Sequence, residues 1–239
     1  MSTLVIVRHG QASFFEDVYD QLSDLGREQS RRLGEYWVKQ GEQFDQVFTG
    51  TLERQIDTAR IVGTVFGQHD RSWPEPEVLA GFDEYAAEAV LKHGLPQLVS
   101  RHEHVRQLQA DVAAAEDRAE QMRAFQRMYE VVIGMWAAGE LEVADVEPWD
   151  EFSRRVHEGF ASIINSGGSG RRVAVFTSGG PIGISLQRAL ATTDQTALEV
   201  AWIVHNGSIS EFLFSRNRFT LSTFNTHPHL DDPALLTYR

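Results

Sequence analysis

Arg8, His9 and Gly10 follow directly on a short apolar run, and the three together hold the groups needed to bind and attack an anionic centre. Arginine presents a planar fork of donors that fits phosphate or carboxylate. The neighbouring imidazole can act as nucleophile or proton carrier, and glycine lets the backbone come close to an anion. The combination suggests attack on a phosphoryl group. Taken alone, the triplet reads equally well as a strand end with a surface arginine and a structural histidine. A second cation, Arg54, falls in the first turn of a helix expected over residues 52–66. A positive charge is unfavourable at the positive end of a helix dipole unless an anion sits there, so Arg54 reads as an anion ligand; the alternative is a surface ion pair with Asp57.

The elements that would carry these residues follow α/β grammar. Residues 4–7 are a wholly apolar, mostly β-branched run, expected as a strand buried on both faces whose carboxyl end opens on a site. A polar loop over residues 11–21 leads to Ser23, an N-cap for a helix over 24–40 with Leu25, Leu33, Tyr36 and Trp37 on one face and Gly41 as its stop. A second strand over 46–49 feeds the Arg54 helix, whose inward stripe is read as Leu52, Ile56, Ala59, Gly63 and Phe66. Strand, helix, strand, helix in this order predicts a mostly parallel sheet with right-handed crossovers. Later, residues 172–177 form another buried strand, Ser178 to Pro181 a tight turn, and 182–191 a helix. Strands are expected over 198–204, 208–214 and 219–224, the first two joined by Asn206-Gly207 as a hairpin.

Residues 84–165 form a long polar helical section: 90 to about 139 is rich in Ala, Gln, Glu and Arg, with Met122, Phe125, Met128, Tyr129, Val132, Met135 and Trp136 at helical spacing, and a further helix over 149–164 brings the chain back. Neither flanking portion has enough strands for a sheet of its own, so one α/β domain over 1–239 with a helical cap insertion at about 85–148 is expected.

Composition narrows the chemistry. The chain has 239 residues, 42% hydrophobic and 23% charged, with a formal net charge of −12. The negative balance argues against general nucleic-acid binding but leaves room for a small phosphorylated substrate in a local cationic pocket. With no cysteine, disulfides, zinc–thiolate sites and cysteine-nucleophile mechanisms are excluded. No run of eighteen apolar residues exists, so no membrane partner is expected, and the N-terminus lacks the pattern of a signal peptide; a cytoplasmic location is expected. His102 and His104, and His227 and His229 ahead of Asp231-Asp232, lack the spacing of a zinc motif, and no metal site is expected.

In sequence order, Arg8-His9-Gly10, then Leu-Ser-Asp-Leu-Gly-Arg-Glu-Gln at 22–29, Thr-Gly-Thr-Leu-Glu-Arg-Gln-Ile-Asp-Thr-Ala at 49–59, Trp-Asp-Glu-Phe-Ser-Arg-Arg-Val at 149–156 and a late strand ending in Gly179-Gly180 make a pattern that spans nearly the whole chain. It resembles the histidine phosphatase superfamily, also called the phosphoglycerate mutase-like family. The resemblance implies a three-layer α/β sandwich with a mostly parallel central sheet, helices on both faces and a helical cap. It also implies a phosphohistidine mechanism without metal or organic cofactor, in which His9 takes the phosphoryl group while Arg8 and Arg54 clamp its oxygens. The family's proton donor, a glutamate near the start of the insertion, corresponds to Glu84, with Asp83 the neighbouring alternative.

One position departs from the family pattern. Ser178 stands where the resemblance would put a second histidine before Gly179-Gly180. A hydroxyl can donate one hydrogen bond but supplies no positive charge, and a missing phosphate donor costs about 2.7–4 kcal/mol in comparable oxyanion sites. Ser178 and the amide of Gly179 are the expected phosphate contacts here, although the same residues serve a tight strand–helix turn. His205 could compensate for the missing imidazole, or face solvent on the shoulder of the expected hairpin. The activity implied is hydrolysis of a small phosphomonoester, with a mutase less favoured; the alternative is a non-catalytic phosphate-binding or regulatory protein. A homo-oligomer is compatible with all of this.

Overall fold

The structure, a computed structural model, describes residues 1–12 and 20–238, so the loop expected over 11–21 falls largely outside the described residues. In chain order the elements are β1 (Ser2–Arg8), α1 (Asp24–Gln40), β2 (Gln46–Thr49), α2 (Glu53–Gln68), β3 (Glu77–Val78), α3 (Ala87–Arg101), α4 (Glu103–Ala114), α5 (Arg118–Ala137), α6 (Trp149–Asn165), β4 (Arg172–Thr177), α7 (Gly179–Leu190), α8 (Asp194–Ile203), β5 (Ile209–Ser215) and β6 (Arg218–Thr226). They divide into two compact units, Met1–Glu84 with Arg155–Arg239, and Tyr85–Arg154.

The first unit holds a six-stranded sheet in the order β3-β2-β4-β1-β5-β6, with β3, β2, β4 and β1 parallel and β5 and β6 antiparallel. Leu4 to Val7 are fully buried, as a central strand of a doubly covered sheet requires. Alternation sends Val5, Val7, Val47, Ala174 and Phe176 to one face, where they pack with Leu33 and Trp37 of α1 and Ala59, Val62 and Phe66 of α2. On the opposite face Phe212, paired with Leu4, stacks on Phe219, and Phe219 lies 6.2 Å from Phe160 of α6. Helices on both faces of a mostly parallel sheet give the expected α/β architecture. Ser23 caps α1 by accepting from the Gly26 amide at 3.1 Å, and Gly41 closes it with φ 72°.

Three expectations are corrected. Residues 198–204 are not a strand: they belong mostly to α8, capped where Thr193 accepts from the Thr196 amide at 3.2 Å. Ala197, Leu198 and Ala201 are its buried residues, a helical spacing that the short apolar run disguised. Asn206-Gly207 is consequently a helix-to-strand turn, and the antiparallel hairpin is formed by β5 and β6 instead, with Ser215 opposite Arg218. The inward stripe of α2 is also out of phase. Gln55, Thr58, Ala59, Val62, Val65 and Phe66 are buried, whereas Leu52, Ile56 and Gly63 are only partly covered. The short edge strand β3, with both residues exposed, gave no sequence signal.

In the second unit the expected long helical section is three helices. It breaks at His102 and again before Asp117, whose carboxylate accepts from the Glu120 amide at 2.7 Å while Glu120 accepts from the Glu116 amide at 2.9 Å. Its core is aromatic: Tyr85 lies 5.4 Å from Trp136, 6.1 Å from Trp149 and 5.5 Å from Phe152. Among the described residues no helix is long and apolar enough to cross a membrane.

Candidate active site

The carboxyl edge of the parallel strands gathers the chemistry-bearing residues, all within the first unit. β1 and β4 pair in register up to Arg8 and Thr177, and the His9 amide donates to the Thr177 carbonyl at 2.8 Å, so His9 and Ser178 are the next residues on two adjacent strands. His9 is 5% exposed. Its Nδ1 lies 2.7 Å from the Gly10 carbonyl oxygen, which can only accept, and its Nε2 lies 3.2 Å from Nε of Arg54, which can only donate. Those partners fix the neutral tautomer with hydrogen on Nδ1 and the lone pair on Nε2. Burial, then the charges of Arg54 and Arg8, hold the His9 pKa well below the ordinary histidine value. The imidazole is thus an uncharged base with its lone pair facing a guanidinium.

The turn after His9 has no room for side chains. A Cβ on Gly10 would lie 2.3 Å from the Gly26 carbonyl oxygen, and one on Gly26 would lie 2.1 Å from the Gln11 carbonyl oxygen, so glycine at both positions lets the start of α1 touch the loop. The Gly10 amide donates to Thr58 Oγ1 at 3.1 Å and the Gln11 amide to Gln29 Oε1 at 2.8 Å. From the other side, the Gly207 amide donates to the Arg8 and His9 carbonyls at 3.0 and 3.2 Å, and Nδ2 of the fully buried Asn206 donates to the His9 carbonyl at 3.3 Å. Arg8 Nη1 donates to the Val204 carbonyl.

Arg54 is 6% exposed although it is a cation in the first turn of α2. Its Nη1 pairs with Asp20 Oδ1 at 2.7 Å, and Asp20 Oδ2 accepts from the Glu53 amide at 2.9 Å. Asp57, the alternative partner, pairs instead with Arg60 at 2.6 Å and Arg27 at 3.8 Å. The start of α2 and the Arg54 fork therefore already hold an anion, the Asp20 carboxylate, while the Arg54 Nε–H is turned toward His9.

Asp83 and Glu84 separate clearly. Both oxygens of Asp83 are taken by Thr51, from its amide at 2.5 Å and its hydroxyl at 2.7 Å, so this carboxylate braces the loop between β2 and α2. Glu84 Oε2 accepts from the Gly180 amide at 3.0 Å, which brings it to the start of α7 beside Ser178 and Gly179. Ser178 is 1% exposed, and its Oγ accepts from Gln55 Nε2 at 2.8 Å. Gly179 opens α7, where amides have no acceptor inside the helix.

His205 sits away from its expected place on a hairpin shoulder. It is half-buried, its ring 4.4 Å from Tyr238 and 4.8 Å from His227, with its amide donating to Asn225 Oδ1 at 2.8 Å. Its pKa is lowered, first by burial and further by His227 and Arg8. His229 is buried beside Tyr36, Asp231 pairs with Arg32 at 2.8 Å, and His102 and His104 are exposed. Among the described residues no group of three or more His, Cys, Asp or Glu is placed to hold a metal ion.

The profile described as "Histidine phosphatase superfamily (branch 1)" matches residues 4–140 and 116–227. The chain belongs to the histidine phosphatase superfamily. Among curated relatives, a 2,3-bisphosphoglycerate-dependent phosphoglycerate mutase from Methylorubrum populi is 37% identical over 71 residues, covering 27% of this chain and 34% of that protein. The chain thus spans about a third of the length of the curated relatives it matches. Several solved structures of the superfamily share the fold. A phosphoglycerate mutase from Bacillus anthracis aligns with TM-score 0.62 and 15% identity over 96% of this chain and 95% of that one. A mutant phosphoserine phosphatase from Entamoeba histolytica in complex with phosphoserine gives 0.63 and 15% over 96% and 100%. A mycobacterial glucosyl-3-phosphoglycerate phosphatase with inorganic phosphate gives 0.61 and 19% over 95% and 98%. At these identities the likeness is one of fold.

Within this histidine phosphatase superfamily member, reading the sequence alone missed Asp20, Gln55, Thr58 and Asn206, which surround His9, Arg54 and Ser178. A signal existed for two of them: Gln55 and Thr58 share an inward helical stripe with Ala59, Val62 and Phe66, and polar residues on such a stripe need partners. Asn206 was hidden by its reading as a turn residue, and Asp20 by lying in a polar loop.

Proposed function

We propose that this chain hydrolyses a small phosphomonoester through a phosphohistidine on His9. The observation that carries the reading is the neutral His9, with Nδ1 anchored on the Gly10 carbonyl and Nε2 directed at Arg54. An incoming phosphate takes over the Arg54 Nε–H, and the freed Nε2 lone pair attacks phosphorus as the bond from phosphorus to the ester oxygen breaks. Glu84 gives its proton to the departing alkoxide. Water then attacks phosphorus, the glutamate takes a proton from it, and the N–P electron pair returns to Nε2. Throughout, the Nδ1 hydrogen stays on the Gly10 carbonyl. Arg8, Arg54, the Ser178 hydroxyl and the Gly179 amide hold the phosphoryl oxygens as charge shifts among them. Glu84 is preferred to Asp83 as the proton donor because both Asp83 oxygens are engaged by Thr51.

The position of Ser178 favours a second reading, a phosphate-binding protein with reduced or no turnover, because a neutral hydroxyl stands where the family pattern has an imidazole. Phosphate release from a panel of phosphomonoesters, an aryl phosphate included, tests the proposal. Hydrolysis by the wild type that is lost in His9→Ala supports the enzyme; no release between pH 5 and 8 sinks it. A Ser178→His variant separates the two readings, since an enzyme gains rate and a binding protein gains none.

A further inference from the structure

Gln55 is the residue after Arg54, yet it points into the interior and is fully buried. Its Nε2 donates to Ser178 Oγ at 2.8 Å and to the Phe82 carbonyl at 3.1 Å. The orientation of the amide follows from the second contact. With nitrogen and oxygen exchanged, two acceptors would meet, since the Phe82 carbonyl already accepts from Thr177 Oγ1 at 2.6 Å. Oε1 makes no hydrogen bond to a described residue and lies over Gly50, where a Cβ would approach it to 2.0 Å. The glutamine is therefore wedged in one orientation.

That orientation determines what Ser178 can do. A hydroxyl has a single hydrogen, and accepting from a committed amide leaves that hydrogen for another partner. Ser178 donates to no described group; its Oγ does not cap α7, and Gln55 already fills one of its acceptor directions. We infer that Gln55 is a positioning residue that makes Ser178 a one-way donor to the phosphoryl group on or near His9, the next residue on the adjacent strand. The same amide ties together three segments of the site: the first turn of α2 that carries Arg54, the Phe82 carbonyl just ahead of Asp83 and Glu84, and the turn from β4 to α7. A cluster held in this way keeps a neutral hydroxyl pointed where it is needed, a requirement that is sharper for a hydroxyl, which rotates freely, than for a planar ring.

The inference rests on the proposed phosphoryl chemistry of His9, and its test is a double-mutant cycle that can be read with or without turnover. Gln55→Met keeps the volume and removes the donor, Ser178→Ala removes the hydroxyl, and the pair is combined; kcat and KM for an aryl phosphate and the affinity for inorganic phosphate are measured, with thermal midpoints as the control for folding. Ser178→Ala is expected to lower kcat about tenfold and Gln55→Met three- to tenfold, while the double variant is no worse than Ser178→Ala alone. Gln55→Glu adds a pH signature. Its carboxylate would take the Ser178 hydrogen at neutral pH and release it on protonation, so activity should recover toward acid. Losses that multiply in the double variant would overturn the inference. If the wild type fails to turn over but binds phosphate, the hydrolase reading falls, and the same cycle on phosphate affinity decides this one. A wild type that neither turns over nor binds phosphate overturns both.

Discussion

His9 and Ser178 occupy the same step on two neighbouring parallel strands, joined through the Thr177 carbonyl, yet they are built in opposite ways. At the end of β1 the functional group is titratable, and its surroundings set its charge state: burial and two arginines keep the imidazole neutral, and a carbonyl holds its one hydrogen. At the end of β4 the group has no charge to tune, and its surroundings set direction instead, through a buried amide that fills one acceptor position of the hydroxyl and leaves its hydrogen to donate elsewhere. In the proposed reaction the end of β1 therefore supplies the nucleophile, with Arg54 adding positive charge beside it, and the end of β4 supplies geometry alone. A site assembled in this fashion depends heavily on its first strand and lightly on its second.

The largest effect should come from His9→Ala, which removes the nucleophile and is expected to lower kcat by on the order of 10⁴-fold or more in the phosphate-release assay. Arg54→Ala should follow at about 10²–10³-fold, since it removes the charged donor that faces His9 Nε2. Asp20→Asn, which keeps the shape of the Asp20–Arg54 contact but weakens it, should cost less than Arg54→Ala and appear mainly in kcat. Ser178→Ala should cost only about tenfold, the scale of one neutral hydrogen bond. A Ser178→Ala loss equal to that of Arg54→Ala would break the contrast between the two strands.

Two further outcomes concern protons. His9, with its pKa held well below the ordinary value, should be uncharged at neutral pH in the ligand-free protein and titrate only below the ordinary histidine midpoint when its ring signals are followed by NMR; a midpoint at or above the ordinary value would contradict the electrostatic account. His229, buried beside Tyr36 and close to Gly207, has its pKa lowered to about 4 by burial first and by His227 next; the Gly207 backbone opposes the shift, although neither ring nitrogen meets a hydrogen-bond geometry. The unfolded chain takes up this proton near pH 6.5 and the folded one only near 4, so stability is full above 6.5 and declines as pH falls toward 4, by on the order of 3 kcal/mol. Denaturant melts of the wild type and His229→Phe should converge in pH dependence at neutral pH and diverge through that window, with little change in activity at pH 7.

The sequence carried the start of the α/β unit well, because β1 is marked by a fully apolar run and α1 by a serine cap and a glycine stop, and because Arg8, His9 and Arg54 are charged or titratable residues in distinctive places; the face of α2 was harder to read, since its buried residues include the polar Gln55 and Thr58. Residues such as Gln55, Thr58 and Asn206 left a fainter mark: uncharged, and in a helix or turn, they look like ordinary surface residues until the fold buries them. Assigning α8 to a strand came from a seven-residue apolar window that fits either period, and the mistaken hairpin at Asn206-Gly207 followed from it. The three helices of the second unit were read as one stretch because the breaks at His102 and Asp117 contain neither glycine nor proline.

Trapping the covalent intermediate addresses the central claim most directly. The wild type, mixed rapidly with an aryl phosphate and quenched in base, should carry one phosphoryl group that is stable to alkali, released by acid and mapped to the His9 peptide, and His9→Ala should carry none. Hydrolysis without such an adduct, or an adduct that persists in His9→Ala, would contradict the account.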